Sequence, residues 1–194
     1  MDMPNIAAVL LGVTVILAAV AAWWFARVWM KYHGRMVITC PENQKPAGVS
    51  VDTRHAVATG LGGKPDLRLA DCSRWPERAG CGQQCLGQID SAPEDCLVRN
   101  ILVRWYEGKK CAWCGRPITE LHLGERKPAL LISEERSVEW NEVPAEQLQE
   151  TLATARPLCF GCHIANTMRR EHPELVIDRS RPALSGGPQG PRAS

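Results

Sequence analysis

The sequence offers little charge of either sign in excess. Its formal net charge is +2 over 194 residues, which makes no case for nucleic acid or for an acidic partner. It has no Gly-rich phosphate loop and no GxSxG turn, so nucleotide binding and serine hydrolysis lack their usual signatures. It has no charged residue at all from Met3 to Ala26. No basic residue precedes that run, whereas a secretory signal peptide carries a positive n-region. Histidines number five, and His33, His55 and His172 stand alone with no ligand partner nearby in sequence. Cysteine, by contrast, is plentiful. Nine are present, an odd number that excludes complete internal disulfide pairing.

The uncharged run is long enough to cross a bilayer as a helix, at about 1.5 Å per residue over about 30 Å of hydrocarbon. Pro4 suits the helix start. Trp23, Trp24, Trp29 and Tyr32 gather at its far end, where amphipathic rings favour the interface, followed by Arg27, Lys31 and Arg35. The expectation is a single-pass transmembrane helix over 6–28 in the cell membrane, with the lipid bilayer as its partner and the C-terminal part in the cytoplasm by the positive-inside bias. The rival is a signal peptide cleaved after Ala19-Val-Ala21.

Beyond the helix, Met36–Cys40 and Val49–Val51 read as strands of a hairpin. Asp52 caps a helix to about Leu61, and Leu67–Leu69 alternates as a strand does. Ser91-Ala-Pro-Glu94 has the form of a capping box, predicting one amphipathic helix to about Tyr106. Ala129–Ile132 and Ser137–Trp140 read as strands and Pro144–Ala153 as a helix, with a last strand over Glu174–Asp178. The Pro/Gly/Ser-rich end cannot bury apolar surface. The resulting division is a tail over 1–5, the membrane helix over 6–28, a cysteine-rich soluble domain over 36–178 and a disordered tail over 179–194. The soluble domain splits into 36–108, with a first cysteine cluster and a core helix, and 109–178, with a zinc part. The fold class is α+β.

Two pairs carry the chemistry, Cys111-Ala-Trp-Cys114 and Cys159-Phe-Gly-Cys162. The first runs into a turn and the second into a short helix, His163–Glu171. A turn-borne pair plus a pair at a helix start presents four thiolates as a treble-clef zinc domain does, and four soft ligands suit one tetrahedral zinc. Cys72, Cys81 and Cys85 form a second, looser group. Cys40 is the chosen fourth member and Cys96 its competitor. Structural zinc, an iron–sulfur cluster, a disulfide and unrelated buried thiols all stay open for it. Cys96 is otherwise the spare thiol.

The pairs also carry resemblances. Cys159-Phe-Gly-Cys162-His163 is similar to the haem-attachment signature of c-type cytochromes, which implies covalent haem on Cys159 and Cys162 with His163 as the iron ligand, and a distal ligand upstream such as His122. The order CxxC, insertion, Leu158-Cys-Phe-Gly-Cys-His163 resembles the cysteine-bearing HNH nucleases, in which the closing histidine binds the catalytic metal. That family's acidic–His or His–His pair has no counterpart in the insertion, whose one histidine is His122. Arg169 and Arg170 are the residues placed to touch phosphate. The whole arrangement resembles membrane-anchored bacterial proteins with paired CxxC motifs. A thioredoxin-like role for either CxxC lacks its βαβ context. The reading favoured here is a membrane-anchored structural zinc module that scaffolds or recruits a protein partner, with no nucleic acid and no catalysis of its own. The alternatives are a c-type electron-transfer protein and an HNH-like nuclease.

Overall fold

The computed structural model describes residues 3–60, 63–78, 80–118, 128–133 and 136–175. Helix α1 spans Met3–Tyr32. Its stretch Ala8–Tyr32 is long and apolar enough to cross a membrane by length and composition. Side chains such as Leu10, Leu11 and Ile16 have no protein neighbours to cover them and stay exposed. The last turns differ: Val28 and Tyr32 are buried and Trp24 packs against the same cluster. These residues recur every fourth position, so one face of the helix end belongs to the domain core.

The chain then forms an antiparallel sheet, β1 (Arg35–Thr39), β2 (Pro46–Val51) and β3 (Leu69–Cys72), in the order β1-β2-β3. The hairpin and both of its strands agree with the sequence reading. The third strand begins at Leu69 rather than Leu67. Helix α2, Thr53–Gly60, starts where expected: Asp52 Oδ1 accepts the His55 amide at 3.0 Å while its Oδ2 accepts Arg68 Nη2 at 2.6 Å. Leu61 lies outside the described residues. Gly60 ends α2 under Trp24, and a Cβ there would stand 2.6 Å from the indole.

The stretch expected as a single helix from Ser91 to Tyr106 holds the last residue of one helix and two further helices. They are α3 (Leu86–Ser91), α4 (Pro93–Cys96) and α5 (Val98–Tyr106). Ser91 is not an N-cap: it closes α3, and its Oγ donates to the Gln88 carbonyl at 2.9 Å. Pro93 cannot donate to a continuing helix and sits at the first position of α4. Leu97 is extended, at φ −67° and ψ 121°, and forms an isolated bridge with Met36 of β1. The break has a packing cause. Leu97 is buried in the first core with Met36, Val49 and Ile89, while its neighbour Val98 joins Leu102 and Tyr106 in a second. A continuous helix puts successive residues only about 100° apart and does not serve two cores on opposite sides.

The second sheet has β4 (Ala129–Ser133) in the centre, β5 (Arg136–Glu139) on one side and β6 (Arg156–Leu158) on the other, all antiparallel neighbours. Successive strand residues face opposite ways. Leu130 therefore enters the second core, while Ala129 and Leu131 enter a third built around Cys111. Tyr106 is fully buried and ties α5 to this strand by donating its hydroxyl to the Ala129 carbonyl at 2.7 Å. Burial pushes its hydroxyl pKa up. Strand β6 was not expected, because it is short and contains Pro157. As an edge strand it tolerates the missing N–H, and the Pro157 carbonyl accepts the Ala112 amide at 2.8 Å. The helix expected over 144–153 is a 3-10 turn, Ala145–Gln147, leading into α6, Leu148–Thr154. Helix α7 spans Phe160–Glu171. The strand expected from Glu174 is instead a 3-10 turn, Pro173–Leu175. Its remainder and the tail over 179–194 lie outside the described residues.

Candidate metal centre

Cys111 and Cys114 sit on a tight knuckle. The Cys111 amide donates to the Arg116 carbonyl and the Gly115 amide to the Cys111 carbonyl, both at 2.9 Å. The reversal needs a left-handed residue, and Gly115 supplies it at φ +70°. The knuckle is joined to β6 by the Ala112–Pro157 bond described above. Cys159 is the extended residue that precedes α7, and Cys162 lies in the helix's first turn. The exposed N–H groups of such a turn favour anionic ligands, thiolates included. The Cys159 amide itself donates to Cys111 Sγ at 3.4 Å.

The four sulfurs of Cys111, Cys114, Cys159 and Cys162 all lie within 4.8 Å of one another, and Cys114 Sγ is 3.8 Å from Cys159 Sγ. A tetrahedral zinc with Zn–S bonds near 2.3 Å needs sulfur–sulfur edges of about 3.8 Å. The donor set is thus consistent with one zinc-like ion. The electrostatics are uneven. The Arg116 backbone amide, then its side chain, hold the exposed Cys114 thiol down at about 6. Burial works against Cys111, but the amides of Cys114, Cys159 and Trp113 outweigh it and bring that thiol down. Burial pushes Cys159 and Cys162 up. Two thiolates are prepared by local donors, and two more depend on a cation to lose their protons.

His163 follows Cys162 but turns away from the sulfurs, into β5. It is buried, with Nδ1 2.8 Å from Ser137 Oγ. Ser137 donates that hydroxyl proton to Asn166 Oδ1 at 2.7 Å, and its amide donates to the same oxygen at 3.1 Å. Ser137 Oγ then has only a lone pair to offer, so His163 Nδ1 carries a proton and donates. The network clamps α7 to β5 and so fixes the helix that carries Cys159 and Cys162. Sequence reading missed Ser137 and Asn166, which are unremarkable polar residues until the helix and strand are brought together. It also missed Arg116, for which the signal was present: a basic residue in the knuckle itself.

The other candidates are scattered. Cys72 and Cys85 are buried in the first core, Cys40 packs against it and Cys81 lies in the loop before α3, but they are not among the described groups whose ligand atoms already converge as the first four do. Cys96 closes α4 and is buried in the first core. All nine cysteines are free of disulfides. His33 stacks on Trp29, His55 lies 2.9 Å from Asp66 and His172 3.3 Å from Glu174. Arg169 and Arg170 lie in the last turn of α7. His122 lies outside the described residues. No family model matches the chain, and no curated protein or solved structure is similar to it at a significant level.

Proposed function

We propose that this chain is a single-pass membrane protein that carries a structural zinc module on its cytoplasmic side and serves to scaffold or recruit a protein partner. The observation that carries the reading is the closed set of four cysteine sulfurs. Four thiolates fill a tetrahedral ion and leave no open position for substrate or water, which is the mark of structural rather than catalytic zinc. The order of knuckle, β4–β5 hairpin and α7, with the last two cysteines at the helix start, supports a treble-clef-like module. The uncharged stretch of α1 and the run Arg27, Lys31, Arg35 support a membrane anchor with the domain inside.

Neither alternative finds support in the geometry. Haem attachment at Cys159 and Cys162 has no use for Cys111 and Cys114, which face them. An HNH-like site needs an acidic–His or His–His pair in the insertion, and the sequence between the two cysteine pairs has none.

Elemental analysis of the detergent-extracted chain tests the reading. Zinc is expected, little iron, and loss of zinc in Cys111→Ser. A haem absorption band that survives Cys111→Ser would instead establish the electron-transfer reading. A reporter fused after Ser194 should be active on the cytoplasmic side, and activity only outside would reverse the orientation.

A further inference from the structure

The turn at Cys40 repeats the knuckle at Cys111 bond for bond. The Cys40 amide donates to the carbonyl five residues on, at Lys45, as Cys111 does to Arg116. The amide four residues on, at Gln44, donates back to the Cys40 carbonyl, as Gly115 does to Cys111. That fourth residue is left-handed in both turns, Gln44 at φ +57° and Gly115 at φ +70°. The amides two and three residues on, Glu42 and Asn43, point at the Cys40 sulfur, as those of Trp113 and Cys114 do at Cys111. An arginine donates to a sulfur in each group: Arg74 Nη1 to Cys40 at 3.0 Å, and Arg116 to Cys114. Asn43 stands where the first knuckle has its second cysteine, so Cys40 must find its companions elsewhere.

Three are at hand. Strands β1 and β3 flank β2 and run the same way; Cys72 sits opposite Val49, and from there the chain continues toward Cys40, with the Ser73 amide donating to the Gly48 carbonyl at 2.8 Å and Arg74 reaching the Cys40 sulfur. Helix α3 is docked there through Gln88, whose Nε2 donates to the Thr39 carbonyl at 2.6 Å and whose Oε1 accepts the Thr39 amide at 3.1 Å. This brings in Cys85, the residue before α3, as Cys159 is the residue before α7. Gln83 Oε1 accepts the Leu69 amide at 2.9 Å and holds the loop carrying Cys81 against β3. Cys72 and Cys85 are buried in one cluster with Cys40 against it, and the Cys85 thiol is raised by burial and then by Cys72, Cys81 and Cys40. A cavity of about 280 Å³ opens between Cys40, Cys81 and Cys85.

We infer that Cys40, Cys72, Cys81 and Cys85 form a second thiolate site for a single thiophilic divalent ion such as zinc. Cys40, Cys81 and Cys85 draw together across the cavity, and Cys72 joins them from the adjoining core, when the ion binds, because the ion supplies the attraction that bare thiols lack. This inference does not depend on the first site being filled.

The test is metal stoichiometry of the full-length, detergent-extracted chain, by elemental analysis and by cobalt titration followed through thiolate-to-metal absorption. The wild type should hold about two ions, and Cys81→Ser/Cys85→Ser and Cys159→Ser/Cys162→Ser about one each, as two closed sites require. If a variant fails to fold, saturation of the wild type at about two cobalt ions still carries the inference. One ion in the wild type that survives Cys81→Ser/Cys85→Ser overturns it and leaves the first site standing. One ion that survives Cys159→Ser/Cys162→Ser but not the other change supports it and removes the first site instead. Cys81 and Cys85 that resist alkylation in the chelated protein until a reductant is added, or iron bound with inorganic sulfide, overturn it in favour of a disulfide or a cluster.

Discussion

A thiolate site is assembled residue by residue from groups with unequal tendencies to ionise. Cys114 is exposed and held at about 6 by the Arg116 amide and guanidinium, so it is already a thiolate near neutral pH. Cys162, pushed up by burial and by its neighbouring thiols, is not. Arg116 therefore matters beyond its own contact: it offsets part of the negative charge that four thiolates place around a divalent ion. Arg116→Ala should weaken zinc binding by about tenfold or more, in the range found for outer partners of metal ligands. The sign of its pH effect follows from the lowered Cys114 thiol. Without the guanidinium the thiol rises, protons compete better for the sulfur, and zinc should leave at a higher pH than in the wild type. A chelator titration at several pH values reads both effects. An unchanged release profile would mean that Arg116 is a surface residue with no part in the site.

At the scale of elements, the sequence was most legible where local chemistry and packing agree. The β1–β2 hairpin, the Asp52 cap and the two CxxC pairs each have a short-range cause, and each lies where its residues suggest. Legibility ended where tertiary packing decides. Ser91 to Tyr106 has the composition of one amphipathic helix, but Pro93 and the demand of two cores split it at Leu97. Strand β6 is invisible in Arg156-Pro157-Leu158 because its partner, β4, lies far back in the chain. The knuckle turn at Cys40 escaped notice for a related reason: with Asn43 in place of a second cysteine it carries no CxxC pattern. The break at Leu97 has an energetic consequence. Leu97 is 1% exposed and sits at the bridge to Met36. Leu97→Ala should cost about 2–5 kcal/mol, the range for a fully buried leucine. Zinc in the first site should be retained, since the third core that backs it does not include Leu97. A thermal melt paired with zinc analysis checks this, and loss of zinc from the first site at temperatures well below the melt would show that the cores are not separable.

At the scale of the whole molecule, α1 belongs to the fold as well as to the proposed anchor. Its middle is exposed and apolar enough to cross a bilayer, but its end carries Trp24, Val28 and Tyr32 into the first core, and Arg99 Nη2 donates to the Met30 carbonyl. The fit is close on both sides: Gly60 leaves no room for a side chain under Trp24. On the proposed membrane-anchored reading, α1 would also set the domain's orientation to the membrane surface, because the α1–core contact and the bilayer would share one rigid element. The two roles come apart by truncation. A chain beginning at Ala22 keeps the sealing turns and loses most of the membrane-spanning surface, so it should be soluble, folded and able to bind zinc. A chain beginning at Arg35 uncovers Met36 and its neighbours in the first core and forfeits about 1.5–3 kcal/mol for each of Val28 and Tyr32, the usual value of burying a large apolar side chain. It should melt earlier or aggregate. Equal melting temperatures for the two chains would show that α1 tethers the domain without stabilising it, and the orientation would then be set by the short link His33–Gly34 alone.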